Sequence, residues 1–178
     1  HRGVTGPDEA GWNIRLARPD DAPAMPAIER AAGAMFDRIE GLAGVAGQQT
    51  VPVDRLRRYI ARGHCLVAAS GERLVGFLVT QPFGRELHVY EFSVHPDWQG
   101  RGIGTALLRA CQIDARNCGF TAVTLTTFEQ VPWNAPFYRR MGFRDVDPVE
   151  HQRLARELAN DAAHGFPAGS RVSMASKI

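Results

Sequence analysis

Leu87–Leu108 reads LHVYEFSVHPDWQGRGIGTALL. Its first part, LHVYEFSV, is an apolar-rich strand that runs into His95-Pro96. A short polar turn follows, and then glycines alternate at Gly100, Gly102 and Gly104. Ile103, Leu107, Ala110 and Asp114 next fall at helical spacing, with Ala106 and Cys111 filling the apolar side. The run is therefore strand, glycine loop, helix. Such a junction leaves the first N–H groups of the helix without partners inside it. With the helix dipole they make an anion site suited to a phosphate or pyrophosphate. Two familiar nucleotide loops are excluded by spelling. A P-loop needs Lys after its glycines, and the only lysine of the chain is Lys177. The dinucleotide fingerprint G-x-G-x-x-G does not match G-R-G-I-G-T-A.

Val94–Leu108, with Gln99, Gly102 and Gly104 in the pattern Q-x-x-G-x-G, resembles the acetyl-CoA-binding motif of the GNAT superfamily of N-acetyltransferases. A second block, TAVTLTTF and then WNAPFYRRMGF from Trp133 to Phe143, is similar to the later strand and helix of that family. The resemblance implies an α/β GNAT fold: a mixed, mostly antiparallel central sheet, splayed at the acetyl-CoA site, with helices on both faces. It implies acetyl-CoA as co-substrate and an amine acceptor, small molecule or peptide, acetylated directly in a ternary complex. The expected grip on the pyrophosphate is the backbone from Gln99 through Gly100, Arg101, Gly102, Ile103 and Gly104 to Thr105. The pantetheine slot is expected where Leu87–Val94 and Thr121–Phe128 part, along Phe92, Ser93 and Val94 and beside Phe137. By the same resemblance Asn134 holds the pantetheine arm and Tyr138 protonates the leaving thiolate. A core tyrosine and a simple helix cap are the alternatives for these two.

The general base stays open. Strict alternation puts His88, Tyr90, Phe92 and Val94 on one face and Val89, Glu91 and Ser93 on the other, unless a bulge intervenes. His88 and Glu91 are equal candidates, with Glu129 weaker. Alternatives to the enzyme reading are a CoA-binding or regulatory module of the same fold, another acyl-CoA donor, or a non-amine acceptor.

A chain of 178 residues with 44% hydrophobic content supports one globular domain, over residues 12–178. HRGVTGPDEAG, residues 1–11, reads as a flexible tail or an added segment. A net charge of +2 argues against nucleic acid, and no apolar run suits a membrane span. Cys65, Cys111 and Cys118 lack metal-ligand spacing, so no metal and a reducing, cytoplasmic setting are expected, with Cys111 and Cys118 as small buried groups. A homodimer is compatible with all of this.

From the beginning of the domain, a strand is expected over Trp12–Arg18, then a helix capped by Asp20 or Asp21 with Met25, Ile28, Ala32 and Met35 inward. Asp54 is expected to cap a second helix, whose Arg55, Arg57, Arg58 and Arg62 read as a solvated face. His64–Ala69 and Arg73–Pro82 form a hairpin, Phe120–Phe128 and Phe143–Val146 are strands, Glu150–Ala163 is a helix and Arg171–Ser176 a last strand. Asp37 and Glu40, beside the glycine-rich stretch from Asp37 to Thr50, hint at a cationic acceptor.

Overall fold

The structure, a computed structural model, describes residues 11–43 and 50–178. The tail expected at 1–11 and the middle of the glycine-rich stretch thus fall almost wholly outside the described residues. Strands β1 (Asn13–Leu16), β2 (Leu66–Ser70), β3 (Arg73–Phe83), β4 (Glu86–Val94), β5 (Ala122–Phe128), β6 (Arg144–Val146) and β7 (Arg171–Lys177) make a seven-stranded sheet in the order β1-β2-β3-β4-β5-β7-β6. Every neighbouring pair is antiparallel except β4–β5. This is the mixed, mostly antiparallel sheet that the resemblance implies.

Among the described residues five α-helices flank it: α1 (Met25–Gly33), α2 (Val53–Ala61), α3 (Ile103–Asn117), α4 (Ala135–Arg140) and α5 (Gln152–Ala163). On one face, Ile103, Leu107, Leu108 and Cys111 of α3 and Tyr138 of α4 pack on Leu78, Leu87, Val89, Val123 and Leu125. On the other, Met25 and Ile28 of α1 and Leu56 and Ile60 of α2 cover Val67, Phe77 and Val79. Alternating apolar positions along β3 supply both cores, as expected of a strand covered on two sides.

Several local expectations are corrected by the chain's own hydrogen bonds. Asp21 turns back to accept from the Arg18 N–H at 2.7 Å and takes both Arg15 guanidinium nitrogens at 2.8 Å. The segment Pro19–Ala24 is accordingly a 3-10 turn, and α1 begins only at Met25, with Pro26 harmlessly in its first turn. Pro52, not Asp54, takes the cap position of α2. His64 does not begin a strand. It has a left-handed backbone, φ 68°, and β2 starts at Leu66.

Strand β4 carries the feature that shapes the site. Val79 faces Glu91, but Thr80 faces Val89, so Tyr90 is an extra residue in β4. The bulge breaks the alternation expected from sequence. Val89, Phe92 and Val94 lie on the α3 side, whereas Tyr90 and Glu91 both lie on the α1/α2 side with His88. Just before the bulge β4 also leaves β5. The two strands pair only at Glu86–Ala122, Leu87–Val123 and His88–Thr124, although each continues for several residues.

Candidate active site

A cleft of about 1200 Å³ opens where β4 and β5 part. One end is built from Phe92, Ser93 and Val94, from Gln99 to Thr105 apart from Arg101, and from Asn134, Phe137 and Tyr138. The structure brings these sequence-selected residues together. Among the described residues, backbone groups of β4 on the β5 side have no strand partner past His88, which leaves an open edge for an amide-bearing chain.

The glycine loop ends at Gly102, the N-cap of α3, with φ 83°; Gly100 has φ 76°. A Cβ at Gly102 would meet nothing within 4 Å, so the requirement there is conformational, for a left-handed residue that aims the first turn into the cleft. The helical ladder starts with the Ala106 N–H donating to the Gly102 carbonyl at 3.0 Å. The N–H groups of Ile103, Gly104 and Thr105 precede it and are left for an anion. The Gln99 side chain donates to the Val94 carbonyl at 3.1 Å and ties the loop to the end of β4. Arg101 lies off the cleft, with its guanidinium 4.4 Å from the centre of the Trp98 ring.

Asn134 occupies the N-cap of α4, yet its side chain makes no capping hydrogen bond, so the amide is left facing the cleft. Tyr138 packs among Phe92, Phe137 and Phe143 with ring centres 5.4–6.3 Å away. Burial pushes its pKa well above the usual phenol range, with Arg171 opposing. The hydroxyl therefore keeps its proton at physiological pH.

At the other end of the cleft stand Glu29, Tyr59, Tyr90, Glu91, Glu157, Asp161 and Arg171. The Glu91 carboxyl lies against that of Glu29. Burial, then the hydrogen bonding and the repulsion of Glu29, push the Glu91 pKa well above the carboxylate range; Arg171 pulls the other way. The Val51 N–H donates to Glu29 at 3.2 Å. Among the described residues no Arg or Lys forms an ion pair with either carboxyl. The neighbouring acids are compensated. Asp161 takes Arg171 Nε at 3.1 Å, and Glu157 accepts from the Tyr90 hydroxyl with Arg153 at 3.8 Å. Tyr59 and Tyr90 stack at 5.7 Å to form an aromatic wall.

His88 is not in the cleft. It is 2% exposed, and its Nδ1 receives Thr124 Oγ1 at 2.8 Å and Arg153 Nη1 at 3.1 Å. Burial, reinforced by Arg153 and His151, lowers its pKa to about 3. It is held as a neutral structural histidine. Glu129 is also outside, paired on the surface with Arg139 at 2.8 Å. Asp37 and Glu40 do not line the cleft; its acids come from α1, β4 and α5. Of the Arg residues on α2, Arg55 reaches the cleft and is not purely a solvated face. Cys111 is buried as expected and Cys65 is buried too, with pKa values raised by burial to about 12 and about 11, but Cys118, also expected to be buried, is exposed.

Glu29 and the Tyr59–Tyr90 wall escape a reading by motif. A faint signal existed for Glu29. It lies four residues after Met25 and one after Ile28, on the edge of the apolar stripe of α1, where a carboxylate is out of place.

Residues 61–145 match the family described as acetyltransferase (GNAT) domain. N-acetyltransferase 8B of Mus musculus is 34% identical over 104 residues, covering 54% of this chain and 45% of that protein. The chain spans about half the length of the curated relatives it matches. Among solved structures, the PaiA N-acetyltransferase of Thermoplasma acidophilum in complex with coenzyme A superposes with a TM-score of 0.71 at 18% identity, over 94% of this chain and 99% of that one. A GNAT family acetyltransferase from Brucella melitensis in complex with acetyl-CoA gives 0.55 at 26% identity, over 75% and 82%.

Proposed function

We propose that the chain is a GNAT-family acetyltransferase and that it transfers the acetyl group of acetyl-CoA directly to a primary amine that is cationic in solution. The observation behind this reading is one cleft in which an open β4 edge and a glycine-capped helix start adjoin a pair of carboxyls that, among the described residues, have no ion-pair partner. The first two features suit pantetheine and pyrophosphate. The carboxyl pair suits an ammonium group, and the tyrosine wall suits the alkyl chain that bears it.

The chemistry follows from these groups. An amine must lose its proton before it can attack a thioester. Glu91 is the base on this reading, and Glu29 positions it and holds its pKa up toward the working range. The free amine nitrogen then bonds to the thioester carbon, and an N–H of β4 steadies the oxygen that becomes negative. As the C–S bond breaks, the Tyr138 hydroxyl gives its proton to the departing sulfur. The acetamide, no longer cationic, loses its attraction to the carboxyl pair and leaves. With Cys65 and Cys111 buried and protonated and Cys118 outside the cleft, no acyl-enzyme is needed. Three unbridged thiols fit a reducing compartment.

Thiol release from acetyl-CoA, measured against alkylamines, amino acids and peptides with free amines, tests the reading. Primary alkylamines or lysine-like amines should turn over, whereas neutral alcohols and carboxylates of the same length should not. Turnover confined to anionic acceptors would overturn it.

A further inference from the structure

We propose that His64, Asp114 and Cys118 form a zinc site at the C-terminal end of α3, outside the cleft. Their ligand atoms all lie within 4.8 Å of one another. His64 Nδ1 is 2.8 Å from Asp114 Oδ2, and Cys118 Sγ is 3.6 Å from Asp114 Oδ1. In a tetrahedral zinc centre with bonds of roughly 2.0–2.3 Å, ligand atoms sit roughly 3.3–3.8 Å apart, so only small rotations separate this cluster from coordination. One nitrogen, one oxygen and one sulfur are a set that zinc takes readily, unlike magnesium or calcium.

The cluster is held by three features. Asp114 and Cys118 are four residues apart at the end of α3, and so lie on one side of it. His64 is brought to them by its left-handed backbone, a conformation uncommon for a non-glycine residue. Its carbonyl accepts from the Thr80 hydroxyl at 2.9 Å, and its ring meets Phe120 edge-on at 5.1 Å. Asp114 has no Arg or Lys partner among the described residues. Its acceptor oxygens are engaged by the imidazole and the thiol, the two groups that a metal would share with it. The exposed position of Cys118 leaves a fourth coordination position to water. On binding, the Cys118 thiol gives up its proton to solvent and the neutral His64 ring carries its proton on Nε2, freeing Nδ1 for the metal. The metal would join the turn between α2 and β2 to the end of α3. None of the three residues lines the cleft, so the site is a structural clamp rather than part of acetyl transfer.

The test titrates zinc chloride alone into the reduced, tag-free, chelator-stripped full chain, by calorimetry. Parallel titrations use Cys118→Ser, Asp114→Asn and His64→Asn, the last because Asn tolerates the left-handed backbone. Circular dichroism and the acetyl-CoA thermal shift establish that each variant is folded. One zinc per chain is expected, with affinity falling more than about tenfold in each variant. Cobalt in place of zinc should give a thiolate-to-metal charge-transfer band that Cys118→Ser lacks. Absence of binding, or equal zinc affinity in the wild type and Cys118→Ser, overturns the site.

Discussion

Glu29 is among the groups that raise the Glu91 pKa, and this makes the two carboxyls the most informative pair to alter. Glu91→Gln should lower kcat by about a hundredfold or more while leaving acetyl-CoA affinity in place, as loss of a general base does. Glu29→Gln removes one of the causes that raise the Glu91 pKa. The rising, acidic limb of the pH–rate profile should therefore move to lower pH. If that limb stays where it is in Glu29→Gln, the two carboxyls do not act as a unit. Tyr138→Phe should reduce kcat more than acetyl-CoA affinity, and an unchanged kcat would leave the ring as packing alone. Tyr138 and Asn134 were legible because they sit in a local motif. The base was not, since His88 and Glu91 have equal chemical claims in a linear strand. Only burial under Arg153 and Thr124 sets His88 apart.

The glycine loop and β4 each carry a consequence that belongs to the element rather than to a side chain. Gly102→Glu should abolish the thermal shift produced by acetyl-CoA. It replaces a left-handed glycine at the start of α3 and sets a carboxylate where a phosphate would lie. Full affinity in that variant would remove the loop from its assigned role. The loop was readable because φ-positive glycines and the helical spacing after them are local properties. The bulge at Tyr90 was not readable. Its position depends on how β3 pairs with β4, and the one-residue slip reassigns every side chain beyond it. The cap of α2 shows the same limit on a smaller scale, for Pro52 and Asp54 both suit a helix start and only the backbone path chooses between them.

Across the whole molecule, ligand and proton binding report on the folded state together. Acetyl-CoA and CoA should raise the melting temperature with concentration, and ATP and NAD should not. A shift with none of the CoA species would end the transferase reading. The buried His88 gives a pH signature. Its folded pKa, about 3, lies below the unfolded value near 6.5, so between those limits the unfolded chain binds the extra proton. Stability from this group is whole above pH 6.5 and falls as pH drops toward 3, by up to about 1.4 kcal/mol per unit. Glu91 acts in the opposite sense. Its pKa is raised in the fold, so its contribution weakens as pH rises above the usual carboxylate range. His88→Gln should therefore flatten the loss of stability between pH 6 and 4 in chemical denaturation; an unaltered slope would place the titration elsewhere.

The amino-acid order settles whatever depends on near neighbours: the periodicity of strands and helices, the glycine loop, and the blocks that carry the family likeness. These follow from backbone preference and apolar spacing over a few residues. The insertion of β7 between β5 and β6, the parting of β4 from β5 after His88, and the meeting of Glu29 with Glu91 are of another kind. Each joins segments far apart in the chain, and each depends on register and packing that no local stretch encodes. The motif residues therefore announce a place for acetyl-CoA, whereas the carboxyls proposed to face the acceptor come together only when α1, β4 and α5 close on one cleft.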